Sequence, residues 1–98
     1  PVPWRTAVDT ETAATVRDLM VHAVENGDSS AARVPGYVVG GKTGTAETGG
    51  EQPHAWFIGF IGDPEPRYAV AVVLEFGGIG VQGPLTIARD LLAMAISA

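Results

Sequence analysis

The sequence predicts an α+β arrangement of about three antiparallel strands and two helices. Three observations carry this. The first and last thirds of the chain each repeat apolar residues at three and four positions, the spacing of one helix face. Between them lie three runs rich in β-branched and aromatic residues. The turns separating those runs are short, and short turns join antiparallel neighbours.

The first helix is DTETAATVRDLMVHAVENG. Ala13, Val16, Leu19, Met20, Ala23 and Val24 form its apolar stripe. Asp9 or Thr10 can cap its start and Gly27 its end. Trp4, just ahead of it, is expected to pack under it. GDSSAARVPG reads as a loop, since small polar residues and a proline break the periodicity. YVVGGKTGTAE is the first strand, TGGEQP a turn, and HAWFIGFI the clearest strand. GDPEPR is a second turn and YAVAVVLEF the third strand. FGGIGVQG is a glycine-rich loop. Pro84 suits the first position of a closing helix, whose stripe is Ala88, Leu91, Leu92, Ala95 and Ile96.

AWFIGFI carries a further message. Trp56, Ile58 and Phe60 alternate with Ala55, Phe57 and Ile61, so both faces of the strand are apolar and cover on both sides is expected. Trp56, Phe57 and Phe60 are therefore assigned to the core. Two helices are few for that task. The start PVPWR has neither an initiator Met nor the segments of a signal peptide. Residues 1–98 are thus expected to be one part of a single larger domain, completed by an upstream segment.

Composition excludes several classes. With 46% hydrophobic residues the chain is globular. A net charge of −5 argues against a nucleic-acid surface, which is basic. No apolar run is long enough to span a membrane, so no membrane contact is expected of this segment. The chain has no cysteine, which removes thiol catalysis and zinc–thiolate sites. Two distant histidines make a poor metal site, and no metal or cofactor is expected.

The stretch GYVVGGKTGTAE (residues 36–47) fits two motifs. Gly36 and Gly41-Lys42-Thr43 match a phosphate-cradling P-loop as text. A P-loop needs a helix starting near Lys42, yet GTAETGGEQP follows, with three glycines and a proline. Nucleotide binding is therefore disfavoured. Read as a strand, the stretch sends Lys42 and Gly44 to one face and Thr43 and Thr45 to the other. One ligand reaches all four only along a free edge, where an extended peptide can add. Gly44 lacks a Cβ and permits close approach. Gly40 and Gly41 weaken the strand, and a strand kept only for packing should hold fewer glycines. Lys42 is the only lysine. On such an edge it becomes an anion site.

KTGTAE, followed by HAWFIGF, resembles the C-terminal part of penicillin-binding protein transpeptidase domains, closest to the class B type. K-T-G is a known signature of these enzymes and of the related β-lactamases. The resemblance runs from about Thr12 to the closing helix. It implies a five-stranded antiparallel sheet between helical layers. It also implies acyl transfer: a serine attacks a D-Ala-D-Ala peptide, D-Ala leaves, and an amine on a neighbouring peptidoglycan stem peptide takes the acyl group. β-Lactams would stall such an enzyme as an acyl adduct. By the same resemblance Lys42 supplies positive charge and belongs to the proton-transfer network. Thr43 and Thr45 offer hydroxyls to the substrate carboxylate, the Thr45 backbone N–H is an oxyanion-hole donor, and Gly44 keeps the strand clear. An extracytoplasmic location and an upstream membrane anchor are implied as well.

The family also needs Ser-x-x-Lys and Ser-x-Asn. With one lysine, Ser-x-x-Lys cannot occur here; Ser30 to Arg33 offers only Ser-x-x-Arg, and Asn26 has no serine two residues before it. The nucleophile is therefore expected on the upstream segment. NGDSSAA also departs from the NGTGTAA-like sequences usual at that place. A serine β-lactamase-like hydrolase and a non-catalytic penicillin-binding module are the alternatives; the alanine and glutamate after K-T-G-T favour the transpeptidase. Among other residues, His54 is expected to make a structural hydrogen bond or sit in solvent, His22 to lie on the helix surface, and Glu47 to be a charge at a strand end. Asp9, Glu11, Asp18, Glu25 and Asp28 read as a solvated acidic face.

Overall fold

The computed structural model describes residues 2–78 and 82–98, so part of the glycine-rich loop lies outside the described residues. The element order is α1 (Thr10–Asn26), a short 3-10 turn (Ser30–Ala32), β1 (Val38–Ala46), β2 (His54–Gly62), β3 (Pro66–Leu74) and α2 (Gly83–Ser97). The strands form one antiparallel sheet in the order β1-β2-β3, with β1 at an edge.

Local chemistry accounts for the boundaries. Asp9 caps α1, accepting a hydrogen bond from the Thr12 N–H at 2.7 Å. Thr12, through its hydroxyl and its backbone N–H, lowers the Asp9 carboxyl below its usual 3.8. Gly27 ends the helix, where a side chain would crowd the Ala23 carbonyl at 2.8 Å. Gly49 (φ 75°) and Gly50 (φ 134°) make the β1–β2 turn with backbone angles that side chains disfavour. Pro84 occupies the first turn of α2, where its missing N–H leaves no helix bond unmade.

The core lies on one face of the sheet. Opposed residues of an antiparallel pair share a face, and Thr43↔Phe57↔Val72 and Val39↔Ile61 set the inner one. Val39, Phe57, Ile61 and Val72 meet Val24 of α1, Ala32 and Val34 of the connecting loop, and Leu85, Ala88, Leu92 and Ile96 of α2.

The other face differs from expectation. On this face α1 borders only the Phe60 end, through Val16 and Met20, and Trp56 (41%) and Ile58 (48%) are exposed, with Phe60 half-buried. Trp56 and Phe60 are therefore not core residues here, although Phe57 is. Alternation predicted which residues share a face; it could not say what covers that face. The α1 stripe departs in the same way. Val24 is buried, while Val16 and Leu19 stand exposed because only the end of α1 reaches the core. Leu91 of α2 also points away from the core and is exposed, whereas Ala88, Leu92 and Ile96 enter it. Trp4 does not pack under α1; it is 89% exposed, with the Arg5 guanidinium over its ring.

Gly40 and Gly41 have a packing role that the sequence reading denied them. A methyl group at Gly40 would overlap the Phe60 ring, and one at Gly41 the Phe57 ring. Aromatic rings from β2 lie across β1 and fill the space a side chain would need.

Candidate active-site wall on strand β1

Lys42, Thr43, Gly44 and Thr45 occupy the second half of β1. The first half, through Gly41, is largely buried; from Lys42 onward the strand is exposed or half-exposed. Lys42 opposes Ile58 and Gly44 opposes Trp56, so these two share the open face. Thr43 opposes Phe57 and Thr45 opposes Ala55, so their side chains share the covered face. The expected two-sided projection is present, and the four residues converge only along the edge.

The backbone at that edge can be oriented. The Gly40 carbonyl crowds the Cβ position of Gly59, and the Ile58 carbonyl crowds that of Gly41, each at 2.9 Å. Both carbonyls therefore point across the gap between β1 and β2. Bonding alternates along an antiparallel strand, and each residue's N–H and C=O point to the same side. Gly40, Lys42 and Gly44 thus bond to β2, while Thr43 and Thr45 direct their backbone groups to the free edge. The Lys42 ammonium agrees with this assignment, since it donates to the Thr43 carbonyl at 2.8 Å. It sits against the edge with the Thr45 N–H two residues further on.

Gly44 differs from Gly40 and Gly41. A Cβ at Gly44 would meet only the Trp56 Cβ, at an ordinary 3.5 Å. Nothing among the described residues requires a glycine there.

A cleft of about 160 Å³ runs beside these residues. Thr43, Gly44 and Thr45 line one side, and Trp56, Gln82 and Asp28 contribute elsewhere. Asp28, Gln82 and Trp56 were missed as cleft residues by sequence reasoning. For Asp28 the sequence carries a signal, because it is the first departure in NGDSSAA; it is also exposed, as expected of a solvated acid. His54 lies outside the cleft lining and its Nδ1 accepts from the Phe76 N–H at 2.9 Å, a structural role as expected. His22 is on the surface of α1 beside Asn26. Glu47 is exposed just beyond β1.

The P-loop alternative fails on this geometry. Lys42 and Thr43 are in mid-strand, and β2 rather than a helix follows the turn. No helix starts at Lys42 as a phosphate cradle would require.

The model of the penicillin binding protein transpeptidase domain matches residues 1–93. The chain belongs to this family. It is 43% identical over 82 residues to the peptidoglycan D,D-transpeptidase PbpA of Mycolicibacterium smegmatis, a match covering 80% of this chain and 16% of that protein. Among solved structures it superimposes on the D,D-transpeptidase domain of a peptidoglycan glycosyltransferase from Eggerthella lenta. There the TM-score is 0.77 and the identity 38%, covering 94% of this chain and 22% of the other. It also superimposes on penicillin-binding protein A of M. tuberculosis in an imipenem acyl-enzyme complex, with TM-score 0.73 and 37% identity over 92% and 21% of the two chains. The chain thus spans about 16% of the length of the curated relatives it matches. The family match takes in α1, all three strands and most of α2.

Proposed function

We propose that this chain supplies the K-T-G wall of a serine-type D,D-transpeptidase that cross-links peptidoglycan stem peptides and is acylated by β-lactams. The observation that carries the reading is the free edge of β1, where Lys42, the Thr43 and Thr45 hydroxyls and the Thr45 N–H converge on one line. In this reading an extended D-Ala-D-Ala peptide lies along that edge. The serine Oγ, on an upstream segment of the same protein bearing Ser-x-x-Lys and Ser-x-Asn, attacks the penultimate carbonyl carbon. The C=O pair moves onto oxygen, and the Thr45 N–H donates to that oxyanion. Collapse breaks the amide bond, and D-Ala leaves with a proton on its nitrogen. An acceptor amine then attacks the acyl-serine ester, forms the new amide and returns the proton to the serine.

The chemistry favours these assignments. One fixed donor at an oxyanion is worth about 3 kcal/mol. The terminal carboxylate needs a cation and hydroxyl donors, which Lys42, Thr43 and Thr45 offer. The open sheet face bearing Trp56 and Ile58 supports an upstream segment as its cover. We place the site outside the cytoplasm, where peptidoglycan is assembled, with anchoring left to a segment other than this one. No helix among the described residues is long and apolar enough to cross a membrane.

Two measurements test the reading. In the protein that carries this chain, Lys42→Ala is expected to slow labelled-penicillin acylation by about a hundredfold or more, with thermal stability retained; undiminished acylation would remove Lys42 from the site. Mass spectrometry of residues 1–98 treated alone with penicillin should find no adduct. An acyl adduct on these residues would place the nucleophile here and sink the division of labour.

A further inference from the structure

Asp28 is an acid at the border of a cleft whose other polar groups suit an anion. It follows the end of α1, is exposed, and lines the same cleft as Thr43 and Thr45. No cation pairs with its carboxylate among the described residues, where the ion pairs are Arg17 with Asp18 and Glu65, and Arg89 with Asp90. Arg33, the nearest cation in sequence, donates to the Glu25 carbonyl at 2.7 Å, and Lys42 on β1 is turned to the Thr43 carbonyl. A ligand carboxylate held by the threonine hydroxyls would share this cleft with Asp28. Two charges a few ångströms apart near a protein surface interact strongly enough to discriminate between ligands.

We propose that Asp28 sets the charge preference of this cleft. It favours acyl donors that carry a cationic group besides their terminal carboxylate, and it disfavours donors with a second anion. Specificity of this kind arises from a repulsive element as much as from an attractive one. The inference rests on the transpeptidase reading above, because it concerns ligands that acylate the same site. It assigns Asp28 to substrate selection and not to bond making.

The test compares ampicillin, whose side chain bears an ammonium, with carbenicillin, which bears a carboxylate at the equivalent carbon. Acylation rates are measured on the full protein that carries this chain, as parent, as Asp28→Asn and as Asp90→Asn. Asp28→Asn is expected to lower the ampicillin-to-carbenicillin rate ratio about threefold to tenfold, and added salt should shrink that change. Asp90, on α2 and paired with Arg89, lies outside the cleft lining, so its neutralisation controls for net charge and should leave the ratio unaltered. An unaltered ratio in Asp28→Asn, or an equal change in Asp90→Asn, overturns the role of Asp28 while leaving the transpeptidase reading intact. Failure of both penicillins to acylate the parent protein overturns the two together.

Discussion

The two halves of β1 both carry glycine and put it to different uses. Residues 38–41 hold two glycines because the Phe60 and Phe57 rings occupy the space above them. Residues 42–46 hold one glycine, Gly44, with room for a methyl group beside it. The first half is buried under helices and loop; the second is an exposed edge whose odd-numbered residues present N–H and C=O outward. Glycine in a strand therefore has two distinct meanings here. At Gly41 it serves the fold, and at Gly44 it leaves open space beside the strand, which the proposed function assigns to a ligand.

The largest effect that can break this contrast comes from the ring that defines the buried half. Phe57→Ala removes a fully buried side chain from the core and is expected to cost about 3–5 kcal/mol of stability, read by urea or thermal unfolding of the protein that carries this chain. A smaller loss would mean that the core closes around the gap and that the glycines opposite are not held by the ring.

Next comes the pair of glycine substitutions. Gly41→Ala forces a methyl group onto the Phe57 ring and within 2.9 Å of the Ile58 carbonyl, with an expected loss of about 1–3 kcal/mol. Gly44→Ala should change stability by no more than about 0.5 kcal/mol. It should slow β-lactam acylation at least about tenfold, because a methyl on the strand displaces a ligand that must approach it closely. Equal destabilisation by both substitutions would erase the distinction between the halves. Unchanged acylation in Gly44→Ala would leave that glycine without a reason.

The smallest effect sharpens the comparison from outside the strand. Asp9 has its pKa lowered by hydrogen bonding from Thr12. A depressed carboxyl stabilises the fold while it is ionised, above its unfolded value. That contribution is lost as pH falls below 3.8 and through the lower folded value. Helix content should therefore weaken slightly at the start of α1 in that window, and Asp9→Asn should flatten the dependence. No comparable change is expected at β1, where no carboxylate caps the strand.

Much of this was legible in the chain. All five main elements were expected, with caps at Asp9 and Gly27 and a proline in the first turn of α2, because these depend on local spacing and on single-residue backbone preferences. The projection of Lys42 and Gly44 against Thr43 and Thr45 was also readable, since it follows from a two-residue period. Burial was read less well. Trp56, Val16 and Leu19 have the pattern of packed residues and stand exposed, because periodicity marks an apolar face without naming its partner.

The sequence by itself determined the element order, the strand edge bearing K-T-G and, through KTGTAE and HAWFIGF, the family. Only the tertiary structure decided what the glycines are for and which acid lies in the cleft. Gly41 meets the Phe57 ring across the sheet, and Asp28 lines the same cleft as Thr45 although they are far apart in the chain. Such pairings arise from the register of β1 on β2 and from the path of the loop after α1. Both are consequences of packing between distant segments, which no local window of residues contains.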